Sequence, residues 1–295
     1  MNRQRIELSW LAYSVLLLGV LGLVGLGGGG GVATSTPGQL WVDDDPGCGD
    51  HSPCFSSIQQ AVDAAATAAT IWVRPGLYEE TITITKWVNL VGEVGSGQVV
   101  IRSPDPEQPV IQVLQVPQAT EVGESRGVIT VGLLPGGLLR NLTIMGGRVG
   151  VLLRRTDYRV QFNQITGNRD AGILIEGGSP LVWGNEISWT SGVCEAREYR
   201  GVVCEGGDGI RVTAVEDDLE ISGNTISHGN GWGIRVLGWK GVLDPQSGAV
   251  KVERNSITEH GTLLEGGGIS VEGIAEAEID HNHIEGNGWA LMLWQ

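Results

Sequence analysis

Apolar and polar positions along residues 160–284 follow a phrase that returns five times, Val/Ile-x-x-Asn-x-Ile. It runs from Val160 to Ile165, Val182 to Ile187, Ile221 to Ile226, Val252 to Ile257 and Ile279 to Ile284. Its asparagines are Asn163, Asn185, Asn224, Asn255 and Asn282. A small residue and then apolar-x-apolar follows each time: Ala171-Gly172-Ile173-Leu174-Ile175, Gly209-Ile210-Arg211-Val212, Gly233-Ile234-Arg235-Val236, Gly268-Ile269-Ser270-Val271 and Ala290-Leu291-Met292-Leu293. Each phrase is too short for a helix and alternates with period two, so it predicts short strands with one apolar face. Two strands per repeat and a shortest step of 22 residues between asparagines predict a solenoid of parallel strands.

A lone pair of such strands cannot bury its apolar side, whereas the next coil stacked about 4.8 Å away does so. Stacking brings the asparagines to one turn, where their amides can hydrogen-bond up the stack and where Asn tolerates a left-handed backbone. A slip of one residue would turn every Ile outward, so register follows from the pattern. In Leu138 to Ile144 the regular pattern begins with Leu142 in the Asn place and Asn141 one position early.

Ahead of these repeats, Ser56 to Ala66 predicts a short helix with Ser56 and Gln59 as a capping-box pair and Ile58, Ala61, Val62 and Ala65 on one face. It is the expected N-terminal cap, because an open solenoid end exposes core and strand edges. Residues 34–55 read as an irregular, disulfide-tied lead-in whose Asp43, Asp44, Asp45 and Asp50 form an acidic turn; the spacing of a calcium loop is absent, and no metal is expected there. The run Ile58-Gln59-Gln60-Ala61-Val62-Asp63-Ala64-Ala65, then Ile71-x-Val73-x-Pro75-Gly76-x-Tyr78-x-Glu80, then Leu90-Val91-Gly92-Glu93 resembles the opening of right-handed parallel β-helix proteins of the pectin-lyase-like superfamily, including the bacterial pectinesterase-like and CASH-type repeats. The resemblance covers residues 56–295 and implies an all-β, single-stranded right-handed β-helix. It implies no particular activity, since the matching residues are cap and turn residues.

Composition narrows the partners. Glycine, at 47 residues, is more than twice as frequent as usual, which suits a turn every few residues. A net charge of -15 without a basic run excludes bare nucleic acid, and a polyanionic polymer would need Ca²⁺ or a local basic patch. Arg3 and Arg5 precede an apolar run from Leu8 to Leu26, then Gly27 to Gly31 and Ala33, so residues 1–33 are either a cleaved signal peptide or a membrane anchor. Both readings place the solenoid outside the cytoplasm, touching the membrane only through that segment. Two close cysteine pairs, Cys48 with Cys54 and Cys194 with Cys204, then read as local disulfides.

Candidate chemistry comes from stacked outward positions. Glu253 and Asp280 fall on neighbouring coils beside Arg254, His281 and His283, so an acid/base pair for sugar chemistry competes with a plain charged face. Arg211 and Arg235 are outward on successive coils, and the resemblance supplies neither an acid cluster beside them nor the residue sets of pectinesterases or polygalacturonases. A lyase-like use of either arginine would bring Ca²⁺; otherwise no cofactor is expected. Trp232 and Trp289 hold the same place in Asn-Gly-Trp with Gly267 between, and Trp183, Trp189 and Trp239 could extend a sugar-stacking surface; covering corners of the core is the competing role. Three functions follow: a polysaccharide or glycan binder, a polysaccharide lyase or hydrolase acting through Glu253, Asp280, Arg235 and His281, or a module that forms homo-oligomers through the open end at Leu291-Met292-Leu293.

Overall fold

The structure, a computed structural model, describes residues 38–45, 48–95, 97–114, 136–197, 201–215, 218–238, 248–261, 266–274 and 276–294. Three parallel sheets of ten, eight and eight strands wall a solenoid. Each coil visits all three. One coil, for example, runs Arg159–Gln161, Gln164–Thr166 and Ala171–Glu176. The Asn phrase therefore spans two strands around a corner, and the repeat has three strands where the pattern suggested two.

The corner is made by the residue before each asparagine. Asn141, Phe162, Gly184, Gly223, Arg254 and His281 all have left-handed backbones, with φ between 52° and 67°. The ladder asparagines themselves do not, so the expectation that they take the left-handed turn is corrected. They are needed inside the corner, where a side-chain amide meets the orphaned polar groups of the bend. Asn163 Nδ2 donates to Asn185 Oδ1, Asn185 to Asn224, Asn224 to Asn255 and Asn255 to Asn282, each at 3.0 Å. Each accepting Oδ1 also takes the backbone N–H of the preceding asparagine at 3.0 Å. Leu142, in the Asn place, uses its backbone N–H alone, 3.1 Å from Asn163 Oδ1.

Register matches the sequence pattern. Val160, Val182, Ile221, Val252 and Ile279 pair in one column, and Ile165, Ile187, Ile226, Ile257 and Ile284 in another. Except for Ile279 and Ile284 in the last coil, these side chains are fully buried, and they form one continuous core along the stack. Burial of this apolar column is the main force holding coil on coil.

The helix is Ile58–Ala64, shorter than predicted, and its N-cap is Ser57. The capping partner is not Gln59 but Glu80 of the following coil, whose carboxylate accepts from Ser57 Oγ, Ile58 N and Gln59 N at 2.7–3.0 Å. Gln59 instead pairs with Thr83 as a strand residue would. Its Oε1 accepts Thr83 N at 2.7 Å and its Nε2 donates to Thr83 O at 3.2 Å, covering the first edge of the third sheet. The lead-in is also more regular than predicted. Gln39–Val42 and Cys54–Phe55 add two parallel strands to the first sheet, tied by the Cys48–Cys54 disulfide. Asp43, Asp44 and Asp45 bring their carboxylates within 4.8 Å of one another; Asp43 pairs with Arg74 at 3.1 Å and Asp44 accepts Leu77 N at 2.9 Å.

The insertion after Ser188 forms an antiparallel hairpin, Val193–Arg197 with Gly201–Glu205, in which Cys194 is the backbone partner of Cys204. The side chains of this second cysteine pair lie outside the described residues, as do residues 1–33, residues 239–247 and Trp239. Among the described residues no helix is long and apolar enough to cross a membrane. In the last coil Leu291, Leu293 and Trp294 are exposed, and Leu291–Trp294 is the edge strand of the third sheet.

Candidate functional site

The outward face of the third sheet changes character along the stack. One column of register partners reads Thr83, Gln112, Leu152, Leu174, Arg211, Arg235, Ser270 and Met292. Over its C-terminal half lies a cavity of about 760 Å³, lined among others by Asp170, Asp208, Arg211, Arg235, Trp232 and Trp289. This volume falls in the range of small-ligand clefts. Gly206, Gly231 and Gly266 line one lip, which is therefore bare backbone.

Arg211 is the fixed centre. Its Nε donates to Asp208 Oδ2 at 2.6 Å and its Nη1 to Asp170 Oδ1 at 2.9 Å, while Asp208 Oδ1 accepts Trp232 N at 2.7 Å. Burial alone would lower the guanidinium pKa, but the adjacent Asp208 and Asp170 carboxylates outweigh it and hold the pKa above its ordinary value. Arg211 is thus a permanent cation and no proton acceptor. Neither aspartate is among the residues that the sequence pattern singles out; the resemblance supplies no acids beside the arginines, and the chain's own Asp170 and Asp208 flank Arg211. The signal available for Asp208 was its place, two residues before the buried Ile210, in the column that Trp232, Gly267 and Trp289 share.

Arg235, stacked on Arg211, is less committed. Its nearest carboxylate oxygen, on Glu272, is 3.7 Å from Nη2, and its buried Nε has no hydrogen-bond partner. A buried donor without an acceptor is costly and marks where a ligand oxygen would be welcomed. Of the two tryptophans, Trp232 is buried and Trp289 is 60% exposed. Gly267 separates them for a steric reason: a Cβ there would stand 2.3 Å from the Trp289 carbonyl oxygen and 2.9 Å from Trp232 Cζ3.

The sequence-predicted residues divide between walls. Arg211, Arg235, Trp232 and Trp289 meet in the groove. Glu253, Asp280 and His281 lie on or beside the first sheet. Glu253 and Asp280 are register partners, as the pattern implied. Each has its own partners: Glu253 is buried against Lys251 at 3.1 Å and Arg254 at 2.9 Å, and Asp280 pairs with His281 at 2.6 Å. Trp183 packs edge-on against Phe162, with centroids 4.6 Å apart, and Arg140 stands over the Phe162 ring.

The profile of the family described as "Right handed beta helix region" matches residues 135–295, more than half of the chain. No curated protein and no solved structure matches it.

Proposed function

We propose that this chain, which belongs to the right-handed β-helix family, works outside the cytoplasm and binds a polysaccharide in the groove of its third sheet. One observation carries the reading: an exposed indole, Trp289, and an arginine with an unpartnered donor, Arg235, face the same cavity. A flat aromatic face takes the CH face of a sugar ring, and a guanidinium fork orders the ring's oxygens. Proteins of this fold often bind or act on polysaccharides, which agrees with the site. The charged start, the apolar run before residue 33 and the Cys48–Cys54 disulfide support a location outside the cytoplasm.

Binding is favoured over cleavage by the state of the acids. Asp170 and Asp208 both hold Arg211 in place, and Arg211 keeps its proton. A screen of polysaccharide fragments read by mass, with and without Ca²⁺, tests the reading. Fragments should be retained with unchanged mass, and Trp289→Ala and Arg235→Ala should each weaken retention about tenfold or more, the usual scale for interface aromatics and arginines. Retention that ignores both variants removes the groove. Shorter products that vanish in Asp280→Asn would move the activity to the first-sheet wall.

A further inference from the structure

The corner between the second and third sheets carries its own column of left-handed residues: Gly146, Gly167, Trp189, His228, Glu259 and Gly286, with φ between 55° and 78°. Backbone bonds link neighbours, from Gly167 N to Ser188 O, Trp189 N to Ser227 O and His228 N to Thr258 O. Three successive members are not glycine, although a left-handed backbone costs such residues roughly 1 kcal/mol or more each. Their side chains form one stack. The Trp189 indole lies on the His228 imidazole, with centroids 4.4 Å apart and planes inclined by 16°, and His228 Nε2 is 2.6 Å from Glu259 Oε2.

That arrangement covers one face of the indole and leaves the other open. Trp189 is 62% exposed. On its free side the column continues to Gly167, and a Cβ built there would meet nothing within 4 Å. The corner between the first and second sheets treats its glycines differently. There the Phe162 ring comes within 3.0 Å of a Cβ at Gly184, and Trp183 Nε1 within 2.9 Å of one at Gly223. Those aromatics cover the glycine of the next coil; Trp189 leans onto His228 and leaves Gly167 bare. The vacant step is one coil deep, about 4.8 Å, enough for a single flat ring on the indole. Hydroxyls flank it: Ser188 Oγ donates to Thr166 Oγ1 at 3.1 Å, and these residues immediately precede Trp189 and Gly167.

We infer that the open face of Trp189 above Gly167 is a second carbohydrate subsite, outside the groove, that takes one neutral pyranose ring. Its CH face lies on the indole and its hydroxyls reach Ser188 and Thr166. An acidic ring is disfavoured by the net charge of -15 and by Glu259 in the same stack, which leaves a neutral sugar as the ligand chosen. The inference rests on the glycan reading of the groove only for its choice of ligand class.

The test uses the full chain with ¹⁵N-labelled indoles and methyl β-D-glucopyranoside, a pyranoside whose equatorial substituents leave flat CH faces. Trp189→Ala assigns the Trp189 signal. In the wild type this signal should shift and saturate as glycoside is added. Gly167→Asn fills the vacant step with a residue that tolerates the left-handed backbone, and should abolish the shift while the other indole signals stay in place. Seen from the ligand, saturation transfer to the glycoside should fall in Trp189→Ala. A Trp189 signal that never moves, or moves equally in Gly167→Asn, overturns the subsite. Trp289→Ala separates the two proposals: a Trp189 response that survives it upholds the subsite whatever becomes of the groove. Movement of the Trp289 signal alone leaves the groove standing and overturns the subsite.

Discussion

The two corners of each coil solve the same bend with different chemistry. Where the first sheet meets the second, one residue type repeats: five asparagines from Asn163 to Asn282 form an unbroken amide ladder. Where the second meets the third, the corresponding column is mixed. Gly147, Asn168, Thr190, Gly229, His260 and Asn287 occupy it, and only scattered bonds join them, such as Asn168 Oδ1 accepting Gly147 N at 3.2 Å and Asn287 Oδ1 accepting His260 N at 2.8 Å. Buried atoms there go unpaired, among them Asn168 Nδ2 and both His260 ring nitrogens. The uniform corner clamps register, because each ladder amide is matched by a neighbouring coil. The mixed corner gives up that satisfaction on the side that leads into the groove, where side chains differ from coil to coil.

The comparison breaks most visibly at the middle of the ladder. In Asn224→Ala, the Asn185 backbone N–H loses its acceptor, the Asn185 amide keeps only the Val160 and Trp183 carbonyls, and Val182 O and Asn255 Oδ1 each lose a donor. Each buried group stranded in this way costs about 1–3 kcal/mol, so the variant should lose on the order of 4 kcal/mol. For a chain of this size that is a fall in Tm of roughly 8–16 °C, measured by circular dichroism. A change of only a degree or two would mean that the apolar column alone sets register.

His260 gives the next largest effect. Its ring is fully buried, and a Cβ on Gly229 would stand 2.3 Å from its Cε1, so the imidazole fills the space that this glycine leaves. Burial lowers its pKa to about 4; the facing Gly231 carbonyl, short of hydrogen-bond geometry, opposes the shift, and the neighbouring His228 adds slightly to it. The folded form stays neutral while the unfolded chain takes a proton near pH 6.5. Stability from this group is therefore whole above about pH 6.5 and is lost progressively down to about pH 4, by on the order of 3 kcal/mol. His260→Asn should flatten denaturant midpoints across that window relative to the wild type. Parallel pH slopes for the two proteins would show that His260 does not titrate as its burial implies.

How much of this was legible in the sequence follows the same division. The ladder corner could be read because one residue type at one spacing has one physical use, and the columns of Val160 and Ile165 came with it. The left-handed place beside it was harder to see: Phe162, Gly184, Arg254 and His281 share a backbone conformation and no side-chain property. In the groove, arginines and tryptophans could be aligned on their phrases. Asp208 stands three residues before Arg211 on the same strand, but Asp170 could not be joined to them, since it comes from the preceding coil, and nothing along the chain announces that the three side chains converge. Glu80 capping a helix 22 residues before it is the same kind of event, a contact made by coil stacking rather than by local spacing.

The smallest effect belongs to Asn168, the member of the mixed column most like a ladder residue. Its Oδ1 accepts one backbone N–H, from Gly147, and its Nδ2 donates to nothing. Asn168→Ala leaves one N–H without an acceptor but also removes a buried amide donor that was already unsatisfied, so the two changes oppose each other. The net loss should stay within about 1 kcal/mol, or roughly 2–4 °C in Tm. Paired with Asn224→Ala, this variant isolates the ladder: the same residue type and the same truncation at the two kinds of corner, two coils apart in the stack, should differ several-fold in cost. Equal costs would mean that any buried asparagine stabilises this solenoid alike, and that an unbroken run of amides adds nothing beyond its separate bonds.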